Sequence, residues 1–129
     1  MTDTSIQVSR GDIVIVDLRG ALGGEKENDK TSKSRPCVVV QNDGGNKGSP
    51  LTIVAPLTDT SQYKGYLQQV KVTAAEVAAI GATAKDSIIE CGHIRSIDRA
   101  TRVLQNCGAI SSAVLPRIDA ALKASLGLK

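Results

Sequence analysis

Arg35 is the residue best suited by type and context to do chemistry in this chain. Its planar guanidinium can address two oxygens of a phosphate at once, and Pro36 behind it restricts its backbone to an extended conformation. The same arginine reads, more blandly, as a surface residue covering a strand edge. His93 is the single histidine, so a mechanism built on two histidines is excluded within one chain. No Cys, His or carboxylate cluster has metal-ligand spacing, and Cys37, Cys91 and Cys107 stand far apart in apolar surroundings, which suits buried thiols better than a zinc site or a disulfide framework. Arginine, hydroxyl and carboxylate chemistry remain, and no cofactor is expected.

Charge bounds the partners loosely. A formal net charge of +3 favours a polyanion mildly and falls short of a dedicated basic stripe. From Glu25 to Arg35, Lys26, Lys30, Lys33 and Arg35 are set against Glu25, Glu27 and Asp29. Those lysines suit phosphate contact and equally a solvated loop. Aromatic residues make up only 2% of the chain, so the core must be built from Val, Ile, Leu and Ala, and base stacking is limited to Tyr63, Tyr66 and His93.

The elements that must position these residues read mainly as strands. Asp12 to Leu18 is a β-branched run entered at Gly11; Cys37 to Gln41 is a buried strand after Pro36; Leu51 to Thr58 is the next, with Pro56 suggesting an edge or bulge. Asn42 to Ser49 is dense in turn formers, and the side chains of Asn42, Asp43 and Asn46 would satisfy local backbone groups there, with base contact by Asn42 and Asn46 the other reading. Leu67 to Thr73, Asp86 to Cys91 and Arg102 to Ile110 predict further strands, and Ala74 to Ile80 a short helix. His93 to Asp98 alternates apolar and polar residues. A helix follows from about Ser111 or Ser112, regular only from near Pro116, with a stripe of Ile110, Val114, Ile118, Ala121, Leu122 and Leu126.

One domain over residues 1–129 is expected, residues 1–9 forming a tail, as a small, strongly bent β-barrel with helical additions. The start of the chain has no signal-peptide pattern and no apolar run is long enough to cross a bilayer, so the cytoplasm is the default expectation and no membrane partner is expected.

The order of the blocks resembles the MazF/PemK/Kid toxins. They run Arg10-Gly-Asp-Ile-Val-Ile-Val-Asp-Leu18, Gly23-Gly24-Glu25, Arg35-Pro36-Cys-Val-Val-Val, Gln41-Asn-Asp-Gly-Gly-Asn46, Pro56-Leu57-Thr58 and Ile94-Arg-Ser-Ile-Asp98. The resemblance implies an SH3-like β-barrel of the MazF/PemK/CcdB type with a C-terminal helix, usually a homodimer. It implies an endoribonuclease toxin that cleaves single-stranded RNA at a short sequence without a metal ion, leaving a 2′,3′-cyclic phosphate and a 5′-hydroxyl. A cognate antitoxin would silence it. Alternatives on the same barrel are a non-enzymatic gyrase poison like CcdB, and a binding module that has lost cleavage.

By the same resemblance Arg35 is catalytic, Thr58 holds a non-bridging phosphate oxygen beside it, and Glu25 orients the arginine or assists proton transfer. The chain departs from the family at two places. Gly92 stands where some members carry a carboxylate, and Gly24 where some carry a loop histidine. His93 is then an open substitute, able to contact a base or shuttle protons, or simply to cap a strand. Arg95 and Asp98 are expected to pair with each other, or with Arg10 and Asp12, to fix the barrel.

Overall fold

The computed structural model describes residues 6–18, 34–77 and 85–129. Glu25, Lys26, Lys30 and Lys33 therefore lie outside the described residues, as does the later part of the helix expected over Ala74 to Ile80. Seven strands are described: β1 (Asp12–Val16), β2 (Arg35–Val39), β3 (Leu51–Thr58), β4 (Gln69–Val72), β5 (Ser87–Glu90), β6 (Arg95–Asp98) and β7 (Val103–Ala109). All recorded pairings are antiparallel, in the order β4-β5-β3-β2-β1-β7 with β6 also on β3. The mainly β architecture with a C-terminal helix is as expected, but the described sheet is open and does not close into a barrel.

β3 is the strand along which the pairing partner changes. One edge pairs with β2, while along the other Leu51 to Val54 pair with β6 and Leu57 and Thr58 with β5. Pro56 falls between those two stretches, at the point where the partner changes, so its missing N–H interrupts no ladder there. Alternation along the strands feeds two cores. Ile13, Val38, Val40, Ala55, Leu57 and Ile89 point to the larger; Val14, Val16, Cys37, Val39 and Val54 point to the other with Ile97 and Val103. Aliphatic side chains fill both, as the low aromatic content requires. All three cysteines are buried free thiols.

The helices are short except the last. α1 (Asp43–Gly48) corrects the expected turn, because Asn42 caps it by accepting from the Gly45 amide at 2.8 Å and Asn46 is buried beneath it. Those side-chain bonds offset the poor helix propensity of its glycines. α2 (Ala74–Val77) starts at a capping box: Thr73 N donates to Glu76 Oε1 at 3.0 Å and Glu76 N to Thr73 Oγ1 at 3.2 Å. α3 (Arg99–Arg102) joins β6 to β7.

A 3-10 turn, Ser112–Val114, leads into α4 (Leu115–Leu126), where Pro116 sits in the first turn and Gly127 ends the helix in the left-handed region. Ile118 and Ala121 bury into the larger core. Leu126, expected on that stripe, is exposed.

Arg10-Gly11-Asp12 is a structural corner. Gly11 has φ +95°, and a Cβ there would lie 3.3 Å from Leu115 Cδ2. Its N–H donates to Val39 O and its carbonyl accepts from Ile110 N, both at 2.8 Å. Asp12 accepts from Ser9 N at 2.8 Å and Asn106 Nδ2 at 2.9 Å, while Arg10 pairs with Asp119 of α4. The pairing expected between this motif and Arg95 with Asp98 is not made. Arg95 donates to Leu18 O at 3.2 Å, and Asp98 caps α3 through Ala100 N at 3.2 Å. Gly11→Ala is expected to cost about 1–3 kcal/mol, read as a lower urea midpoint with an unchanged slope; an unshifted midpoint would contradict the corner's role.

Candidate active site

β2 and β3 run antiparallel with Cys37 opposite Pro56, Val38 opposite Ala55 and Val39 opposite Val54. Continued outward by two residues, that register sets Arg35 level with Thr58. The β1 pairing fixes the arginine's backbone from the other side, with Val16 opposite Arg35. The two residues meet on a cleft of about 180 Å³, lined by Arg35, Pro36, Leu57, Thr58, Asp59, Lys85 and Ser87. The two residues placed in catalysis from the sequence are thus brought together, 23 residues apart in the chain.

The cleft's charge is mixed. Arg35 and Lys85 bring two cations to it, a pairing suited to a phosphate. Asp59 lies at its rim, with its carboxyl held below the usual range, chiefly by the Ser61 backbone N–H donating to it at 2.9 Å. Behind Arg35, burial pushes the Cys37 thiol up to about 12, although the charges of Arg35 and Arg95 pull the other way. That thiol is inert packing, not a nucleophile.

Thr58 is itself buried and turned toward a second buried polar residue that sequence reasoning missed. Its Oγ1 donates to Glu90 Oε2 at 3.4 Å. Gln69 Nε2 donates to both Glu90 oxygens, at 3.2 and 3.3 Å, and to Gln62 O at 3.0 Å, while Lys64 N donates to Gln69 Oε1 at 2.8 Å. Lys85 and Ser87 of the cleft were missed too. The signal for Glu90 was a carboxylate directly after the apolar pair Ile88-Ile89.

The remaining candidates lie elsewhere. Asn46 is buried: it accepts from Thr52 Oγ1 at 2.6 Å and Gln41 Nε2 at 3.1 Å, and donates to Gln41 O at 3.0 Å. It has no side-chain atom to offer a base. Asn42 is exposed but spends its carbonyl on the helix cap. Tyr63 and Tyr66 are exposed beyond Thr58; Lys71 Nζ lies 4.8 Å from the Tyr63 ring, which lines a separate groove against α4 with Leu67 and Ala124.

His93 stands on the turn between β5 and β6, its N–H donating to Glu90 O at 3.1 Å and its Nδ1 buried without a hydrogen-bond partner among the described residues. It does not line the cleft. At Gly92, where the family resemblance leads one to seek a carboxylate, a Cβ would lie 2.9 Å from the Gln68 side chain. Among the described residues no group of three or more His, Cys, Asp or Glu is placed to hold a metal ion. No helix among them is long and apolar enough to cross a membrane.

Residues 9–126 match the family model of PemK-like, MazF-like toxins of type II toxin–antitoxin systems. The chain belongs to that family. It is 33% identical to endoribonuclease MazF of Staphylococcus epidermidis, over 94% of this chain and 92% of that one. Among solved structures it is similar to an endoribonuclease from a mycobacterial species, with a TM-score of 0.72 at 17% identity, covering 98% of this chain and 97% of that one. A structure of an endoribonuclease in complex with its cognate antitoxin, from a mycobacterial species, gives a TM-score of 0.68 at 19% identity, covering 95% of this chain and 97% of that one. The SH3-like expectation thus stands as a shared MazF fold, without the closed barrel.

With Asn46 assigned to structure, Asn46→Ala is expected to lower stability by about 1–3 kcal/mol in denaturant unfolding and leave activity per folded molecule unchanged. Activity falling while stability holds would return Asn46 to the functional surface.

Proposed function

We propose that this MazF-type toxin is an endoribonuclease that cuts single-stranded RNA within a short recognition sequence, without a metal ion, by attack of a 2′-hydroxyl on the neighbouring phosphate. The products are a 2′,3′-cyclic phosphate and a 5′-hydroxyl. The observation that carries the reading is the meeting of Arg35 with Thr58 on one cleft small enough for a phosphodiester. Charge accumulates on the non-bridging oxygens as the phosphorane forms, and the guanidinium that would meet it is carried on a backbone fixed by the pairing of Arg35 with Val16 of β1. Lys85 adds a second cation at the same cleft.

The modest net charge of one chain suits a homodimer, whose two subunits would line a longer RNA path. The partner proposed to silence the toxin is a cognate antitoxin, the kind of partner bound in the mycobacterial complex. It would bind as an acidic segment competing with RNA. Glu25, Lys26, Lys30 and Lys33, on the segment joining β1 to β2, are proposed to assist proton transfer or contact phosphates.

The test incubates the purified protein with a mixed single-stranded RNA in EDTA. Cleavage is expected to persist, to leave cyclic phosphate ends, and to fall by about 10²-fold or more in Arg35→Ala. Loss of cleavage in EDTA would contradict the metal-free mechanism, and an undiminished Arg35→Ala would contradict the assignment of Arg35.

A further inference from the structure

Glu90 is the feature of the site that the proposed function leaves unused. Glu90 is 5% exposed, ends β5, and among the described residues its carboxylate is hydrogen-bonded by neutral groups alone, Thr58 and Gln69. An apolar residue would pack there without the desolvation that a buried carboxylate incurs. Thr58, which the carboxylate meets diagonally across the β3–β5 pairing, is one of the residues that line the cleft.

A threonine hydroxyl has one proton and two lone pairs, whereas an ionised carboxylate only accepts. While Glu90 takes the Thr58 proton, the Thr58 oxygen can offer only lone pairs to the cleft. It can then accept a hydrogen bond but cannot donate one to a phosphate oxygen, the role the family resemblance implied. Glu90 is held to this by the register that puts Gln69 opposite it and by the Gln69 amide, which spans both carboxylate oxygens. Gln69 is anchored in turn by Gln62 O and Lys64 N.

We propose that Glu90 is a positioning residue that makes Thr58 an acceptor, so that Thr58 receives a hydrogen bond from the substrate's 2′-hydroxyl and aligns that nucleophile beside Arg35. The inference rests on the proposed RNA cleavage and deepens it by naming the substrate group that Thr58 reads. Thr58 would then distinguish RNA from DNA at the scissile nucleotide.

Glu90→Gln reverses the hydrogen-bond direction without changing shape. Because Gln69 Oε1 already accepts from Lys64 N, the Gln69 amide can only donate toward residue 90. The new side chain must turn its carbonyl to Gln69 and its NH₂ to Thr58, releasing the Thr58 proton into the cleft.

The experiment measures affinity in an Arg35→Ala background, where cutting is suppressed, for an RNA oligonucleotide and for the same oligonucleotide with one 2′-deoxy nucleotide at the cleaved position. The parent is expected to prefer the ribose form by about fivefold. Adding Glu90→Gln or Thr58→Val is expected to abolish that preference by weakening only the ribose form. Gln69→Ala, which releases the Glu90 clamp, is expected to reduce it, and serves as the reporter if thermal unfolding shows that Glu90→Gln does not fold.

A preference that survives both Glu90→Gln and Gln69→Ala would overturn the inference. So would Thr58→Val weakening the two oligonucleotides equally, the signature of a threonine that donates to phosphate. Should the wild-type chain cut no RNA, the proposed function falls instead, and the affinity comparison still reads the role of Glu90.

Discussion

The pairing of β2 with β3 is the constraint on which the site depends. Cys37 opposite Pro56 sets the register of the two strands, and a slip of one residue would turn every side chain to the other face. Cys37, Val39 and Val54 belong to one core and Val38, Val40 and Ala55 to the other, so both faces resist such a slip. A double-sided core thus fixes where Arg35 stands relative to Thr58. The chemistry at the strand mouth is held by apolar packing further along the same strands.

β3 extends that control to the rest of the site. Its first half carries β6 and its second half β5, and only the second pairing brings Glu90 within reach of Thr58. Pro56 at the changeover allows one strand to serve two neighbours. The chain from Thr58 through Glu90 and Gln69 to Gln62 and Lys64 then ties the cleft to the loop carrying Tyr63. The network is polar throughout, and its worth lies in direction: it decides which way one hydroxyl proton points.

Much of this was legible in the residues. Pro36 marks Arg35 as a strand-mouth arginine, and the β-branched runs locate β1, β2 and β3. Pro116 marks where the last helix becomes regular, by its missing donor and fixed φ. What was hidden depended on contacts between distant residues. Glu90 sat in a run that reads as buried strand, and its meaning comes from Thr58 and Gln69 across two pairings. α1 was hidden because its glycines argue for a turn, and the Asn42 cap with the bonds of Asn46 to Thr52 and Gln41 offsets that preference. Arg95 and Asp98 looked like partners by spacing, yet the nearest loop carbonyl and amide took them first.

If Arg35 and Thr58 act on one scissile phosphodiester, their effects on catalysis must be coupled. A double-mutant cycle on kcat for RNA cleavage, with Arg35→Ala, Thr58→Val and the pair, measures this directly. The double variant is expected to be hardly slower than the slower single variant. Losses that multiply would contradict a shared site, because they would mean that the two residues act independently.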